Sequence, residues 1–202
     1  MNISKRITFF LLVCFIFLPC IAHRHSGAYA AILENTSDYT DAEKLSRAVE
    51  YFQSGKYHEA LIWFSKLDKK YKLNPRFQAY MGVCCYYDGE YERAIEALEP
   101  ILHKLKAFAP HELAVYYYSV ADSYFRLNKY IDAVPFYEKH TLLCYNNEKG
   151  DSLFRIGICY RCLGDIEIAQ EYFVEALAYF RRYNDTDRLK YVERELERST
   201  DN

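Results

Sequence analysis

The stretch GICYRCLGDIEIAQEYFVEA, residues 157–176, decides the fold, because it is the fourth version of one pattern in this chain. The others are AVEYFQSGKYHEALIWFSKL from Ala48, GVCCYYDGEYERAIEALEPI from Gly82 and ADSYFRLNKYIDAVPFYEKH from Ala121. Aligned on Gly55, Gly89, Asn128 and Gly164, they repeat at intervals of 34, 39 and 36 residues. Seven residues before each of these stands a small one: Ala48, Gly82, Ala121 or Gly157. Four before stand Tyr51, Cys85, Tyr124 and Tyr160, and two after stand Tyr57, Tyr91, Tyr130 and Ile166. Five after, the residue is alanine each time, and nine after stand Phe64, Leu98, Tyr137 and Phe173. Small residues let two helices approach closely, and a large side chain fills the gap beside them. Gly and Asn are the types that reach the left-handed backbone region at a helix end. Each segment therefore predicts two antiparallel helices joined by a short turn.

Four such units in register resemble the tetratricopeptide repeat family, whose 34-residue helix–turn–helix unit carries small residues and aromatics in this order. The resemblance implies an all-α, right-handed α-solenoid of about four units, with a C-terminal capping helix. The units fall at about 41–74, 75–109, 110–149 and 150–183. Pro75 and Pro110 open the second and third units. Departures from the family pattern are Cys85 in place of an aromatic, His140 in place of a small residue, and Asn128 as the third turn residue. Pro100 and Pro135 fall inside second helices, where proline is expected to kink or end the helix.

The ends read differently. Lys5 and Arg6 precede the apolar run ITFFLLVCFIFLP, and Cys20-Ile21-Ala22 offers a small-x-small cleavage site. That is the layout of a secretory signal peptide at 1–22, with an alternative cleavage after Ala30. The apolar run is shorter than the roughly 20 residues of a spanning helix, so an uncleaved anchor is the lesser reading. Pro19 argues against lipid attachment at Cys20. Residues 23–40 read as a flexible lead-in. At the other end, 184–202 gives a capping helix and tail: NDTD supplies helix-capping residues, and Leu189, Val192 and Leu196 then share one face. An exported chain, periplasmic or otherwise outside the cytoplasm and associated with the envelope, or secreted in a eukaryote, is the expectation.

Composition excludes several functions. The net charge is −2, and loss of the leader with Lys5 and Arg6 takes it to −4. No basic excess is present to bind nucleic acid. Of seven cysteines, Cys84, Cys85, Cys144, Cys159 and Cys162 follow the leader, an odd number that does not make a disulfide scaffold. The sequence has no phosphate-cradling Gly loop, no Gly-x-Ser-x-Gly and no His-Glu-x-x-His. His23 and His25 lack a third ligand nearby, so neither metal nor cofactor is expected. Cys159-x-x-Cys162 has redox spacing, but it lies in the interior and last turn of a helix. The dipole there disfavours a thiolate.

The candidate site is a face. In tetratricopeptide proteins the first helix of each unit lines a concave groove that binds peptides. On this resemblance the groove positions are those thirteen, nine, six and two before the turn. They give Ala42, Ser46, Val49 and Gln53; Arg76, Tyr80, Val83 and Tyr87; Val115, Ser119, Asp122 and Arg126; and Asp151, Arg155, Ile158 and Cys162, with Leu45, Ala79, Tyr118 and Phe154 on the flank. Exposed apolar groups beside Arg and Asp compose a protein-binding surface. The expected groove is Arg76, Tyr80, Val83, Tyr87, Tyr118, Asp122, Arg126, Phe154, Arg155, Ile158 and Cys162. The family's clamp for acidic chaperone tails needs Lys, Asn and Arg, where this chain has Leu45, Val49, Tyr80, Val115 and Ser119. The implied partner is therefore a protein or peptide with apolar or aromatic side chains. The function expected is a non-enzymatic scaffold or adaptor, with a thiol oxidoreductase using Cys159 and Cys162, or a ligand-sensing module of a separate regulatory system, as alternatives.

Overall fold

The computed structural model describes residues 39–200. The leader at 1–22, the second cleavage site at Ala30, the lead-in to residue 38 and the His23/His25 pair lie outside the described residues. The chain divides into two units, Met1–Lys44 and Leu45–Asn202. Of the first, residues 39–44 are described, and in them Thr40 and Glu43 form a reciprocal cap: Thr40 N donates to the Glu43 carboxylate at 2.7 Å, and Glu43 N donates to Thr40 Oγ1 at 3.3 Å.

The described residues hold helices and no strand: α1 (Asp41–Gln53), α2 (Tyr57–Tyr71), α3 (Pro75–Tyr87), α4 (Tyr91–Leu98), a 3-10 segment (Glu99–Lys104), α5 (Pro110–Arg126), α6 (Tyr130–Leu143), α7 (Asn146–Leu163), α8 (Ile166–Arg182) and α9 (Thr186–Thr200). From α2 onward each helix packs on its neighbours in sequence, and α3 also packs on α5. This is the all-α solenoid of helix pairs that the repeat predicts.

Two features of the repeat produce it. The first is the turn. Gly55, Gly89, Asn128 and Gly164 all take positive φ, between 58° and 92°. In each case the next residue donates its N–H to the carbonyl four residues before the turn: Lys56 to Tyr51, Glu90 to Cys85, Lys129 to Tyr124 and Asp165 to Tyr160, all at 2.9 Å. These bonds satisfy carbonyls that a helix end would leave bare. A fifth copy occurs where the alignment did not place one. Asn184 has φ 55°, and Asp185 donates to Phe180 at 2.9 Å, so α8 turns into α9 by the same geometry.

The second feature is the close approach opposite the turn. A Cβ added at Gly157 would lie 2.6 Å from the Phe173 ring, and one at Gly82 would lie 2.4 Å from Leu98 Cγ. The small residue seven before the turn thus meets the large residue nine after it. Phe173, Leu98, Phe64 and Tyr137 are fully buried. Burying such a side chain is worth about 1.5–3 kcal/mol.

Boundaries differ from the sequence reading at the start of α7 and at Pro135, while the early end expected at Pro100 is present. Helix α7 begins at Asn146, inside the span assigned to the third unit, because Tyr145 and Glu148 cap it: Tyr145 N donates to the Glu148 carboxylate at 3.1 Å. Helix α4 ends at Leu98, just before Pro100, and the chain continues as 3-10. Pro135 does not end α6, which runs on to Leu143. The terminal helix packs as expected. Val192 is fully buried, with Leu189 and Leu196 beside it against Phe173 and Phe180. Two ion pairs also tie α9 to α7, Arg188–Asp151 at 2.6 Å and Arg161–Glu195 at 2.5 Å.

Candidate binding cleft

Where α3, α5 and α7 line up, a cleft of about 300 Å³ opens between Tyr87, His111, Ala114, Val115, Tyr118, Ser119, His140, Tyr145, Glu148 and Asp151. Its floor comes from successive turns of α5, since Ala114, Val115, Tyr118 and Ser119 follow the i, i+4 stripe of a helix face. Tyr87 and Tyr145 stand at its rim, 54% and 59% exposed, and Val115 is exposed between them. The His111 and Tyr145 rings stack, with centroids 5.7 Å apart. His140 is buried behind Tyr118, their rings 5.1 Å apart, and Ser152 Oγ lies 2.7 Å from its Nδ1. Burial lowers the His140 pKa to about 4, so the ring is neutral at ordinary pH. Burial also lifts Tyr118 to about 12.

Beside the cleft lies a buried polar knot. Asp122, 1% exposed, accepts hydrogen bonds from Tyr137 Oη at 2.8 Å, Tyr86 Oη at 3.0 Å and Arg126 Nε at 3.1 Å, and Arg155 Nε stands 3.6 Å away. The donors come from α3, α5 and α6, and Arg155 brings its charge from α7. A carboxylate can be buried when its lone pairs are filled this way, and here it joins three successive units. Arg155 also lies over the Phe125 ring at 4.6 Å.

The expected groove residues therefore separate. Tyr87 and Tyr118 line the cleft, as do Val115, Ser119 and Asp151 from the wider set read off the helical wheel. Val83 and Asp122 were expected to face a partner and do not. The position six before the turn faces the first helix of the adjoining unit, so α3 and α5 bury Val83 against Tyr116 and Val120, and Asp122 is enclosed by its donors. Arg126 and Arg155 are committed to Asp122. Arg76 and Tyr80 sit at another edge. Arg76 forms a two-pronged ion pair with Glu112, at 3.0 and 2.8 Å, and covers the Phe108 ring. Tyr80 stacks on Phe52 at 4.3 Å. Phe154 and Ile158 pack against the C-terminal core around Phe173. His111, Ala114, His140, Tyr145 and Glu148 were missed. His140 and Tyr145 come from the end of α6 and the turn after it, which a reading of first helices does not reach, and Glu148 precedes the span assigned to the fourth unit.

The Cys-x-x-Cys pair also separates. Cys159 is fully buried and its thiol is pushed up to about 12, first by burial and then by Cys162. Cys162 is exposed and is not among the residues lining the cleft. Cys84 and Cys85 are buried, and burial raises Cys85 to about 11. All five cysteines of the described residues are free thiols.

The comparisons with known proteins agree with this architecture. A model of the tetratricopeptide repeat matches residues 150–182, the fourth unit and its turn. No curated relative matches the chain. Among solved structures, MamA AMB-1 is similar at 17% identity, over 80% of this chain and 90% of that one, with a TM-score of 0.59. MamA MSR-1 is similar at 17% identity, over 80% and 95%, with a TM-score of 0.57. At that identity the likeness is one of fold, and the fold is a tetratricopeptide-type α-solenoid. No helix of the described residues is long and apolar enough to cross a membrane.

Proposed function

We propose that this protein is an exported scaffold or adaptor that holds a segment of a partner protein in the cleft between α3, α5 and α7, in a complex of the cell envelope. The observation that carries this reading is the cleft itself. Apolar and aromatic groups stand exposed at Tyr87, Val115 and Tyr145 around a recess whose floor is already ordered by packing. Preformed recesses with a few polar groups are where ligands gain most from burial. Glu148 and Asp151 at one side favour a partner segment that adds a basic or hydrogen-bonding group to its apolar anchor. Export rests on the leader pattern at 1–22. The burial and high pKa of Cys159 weigh against the oxidoreductase alternative.

A photo-crosslinking residue placed at Val115 in the native host tests the assignment against one at Ile131, which is 70% exposed on α6 away from the cleft. The same partner should be captured at Val115, not at Ile131, and Tyr87→Ala with Tyr145→Ala should remove the capture. Equal capture at both positions would place the interaction elsewhere.

A further inference from the structure

One group of side chains meets at the bend between α6 and α7, beside the cleft. His140 sits in the last turn of α6, Cys144 is the residue that ends that helix, and Glu148 lies in the first turn of α7. A ring nitrogen of His140, the Sγ of Cys144 and a carboxylate oxygen of Glu148 all lie within 4.8 Å of one another. The sequence spacing is i, i+4, i+8. The first step places His140 and Cys144 on one helix face, and the tight turn at Tyr145 brings Glu148 back beside them.

We propose that His140, Cys144 and Glu148 form a binding site for a borderline-soft divalent cation of the zinc type. A nitrogen, a sulfur and an oxygen donor are the set such ions accept, and three protein ligands leave a fourth position open. Tetrahedral ligands about 2.0–2.3 Å from zinc stand about 3.3–3.8 Å apart, so the group needs to close by about an ångström. Two further observations fit an ion. Ser152 fixes the rotation of the His140 ring from a neighbouring helix, the outer support that ligand histidines need. His140 and Glu148 also line the cleft, so the remaining position opens towards it.

The protonation states are compatible with this site. The imidazole is neutral, with its pKa lowered by burial, and a neutral ring is the form that binds metal. The Cys144 thiol is raised to about 11 by burial and then by Glu148, so it is protonated without an ion. Coordination forms a sulfur–metal bond and sends that proton to solvent. A hard ion such as magnesium or calcium prefers oxygen donors and is not suited to this set. The site stands whether or not a peptide occupies the cleft.

Cobalt(II) is the probe for the test, added to the chain after chelator treatment and under a phosphine reductant, which keeps the cysteines reduced without adding a thiolate ligand. One equivalent should bind with the strong visible bands of a four-coordinate ion and a near-ultraviolet thiolate charge-transfer band, with release of about one proton. Cys144→Ser should abolish the charge-transfer band, and Glu148→Gln should weaken binding by more than about tenfold, since even outer-shell losses cost about 10–100-fold. Ser152→Ala, which touches no proposed ligand atom but the ring, should weaken it less. Zinc should displace cobalt and magnesium should not. The proposal is overturned if the charge-transfer band survives Cys144→Ser, if it is lost instead in Cys162→Ser, or if binding does not saturate.

Discussion

Helix α5 carries two carboxylates that collect the same kinds of partner and have different consequences. Near its start, Glu112 accepts from Arg76 and from Tyr116 Oη at 2.8 Å, in reach of solvent. Near its end, Asp122 accepts from two tyrosines and Arg126, with Arg155 close by, and is 1% exposed. The cleft occupies the helix face between them. A helical wheel treats that face as uniform, but it is a recess closed at one end by a buried knot and edged at the other by a surface pair. Charge on a groove face is therefore no guide to contact with a partner. At Asp122 it holds units together.

The strongest way to break this comparison is Asp122→Ala. Removing the carboxylate leaves Arg126 and two tyrosine hydroxyls without their acceptor and Arg155 without its counter-charge, and a loss of about 3–5 kcal/mol is expected, read as a drop in the urea midpoint. Asp122→Asn keeps an acceptor in place and should lose less. If both lose under about 1 kcal/mol, the knot is not what joins the units. Gly157→Ala gauges the same junction by packing alone. The added methyl meets the buried Phe173 ring and the Ala169 carbonyl, so a loss of about 1–3 kcal/mol is expected by thermal melting. At the exposed end, Glu112→Gln should cost no more than about 1 kcal/mol, and the cost should shrink as salt is added.

The Glu112 end also gives a pH signature. The hydrogen bond from Arg76 holds its carboxyl below the ordinary value of 4.5. A carboxyl whose folded pKa is lowered contributes stability above its unfolded value and loses it as pH falls through the folded one. Acid titration of stability from pH 6 downward should show a component below about pH 4.5 that Glu112→Gln removes. The smallest effect is expected at the cleft rim. Val115→Lys should change stability by no more than about 0.5 kcal/mol while abolishing partner capture.

Much of the fold is legible in the sequence, because the repeat encodes local geometry. Gly55, Gly89, Asn128 and Gly164 all take the left-handed backbone that their residue types suggest, and Gly82 and Gly157 meet Leu98 and Phe173 as their spacing implies. The fifth turn at Asn184 was hidden because α9 lacks the repeat's aromatics. The cleft is less legible. Tyr87, Tyr118 and Val115 follow from helical periodicity, but His140, Tyr145 and Glu148 reach it through the bend between α6 and α7. The enclosure of Asp122 depends on tyrosine donors from α3 and α6 and the Arg155 charge from α7, which no local pattern encodes. A search for ligand types at i, i+4, i+8 across the end of α6 would have found His140, Cys144 and Glu148.

The cleft draws on Tyr87 from the second unit, Val115 from the third and Asp151 from the fourth. In a stack where contacts run mainly between adjacent elements, each unit can fray with little word to units farther along. An occupant of the cleft would touch all three at once and behave as a splint. At about 100 times its dissociation constant it adds about 2.7 kcal/mol, shared across the span it bridges. Hydrogen exchange in α3 and α7 should then slow together on binding, although those helices belong to units separated by a third.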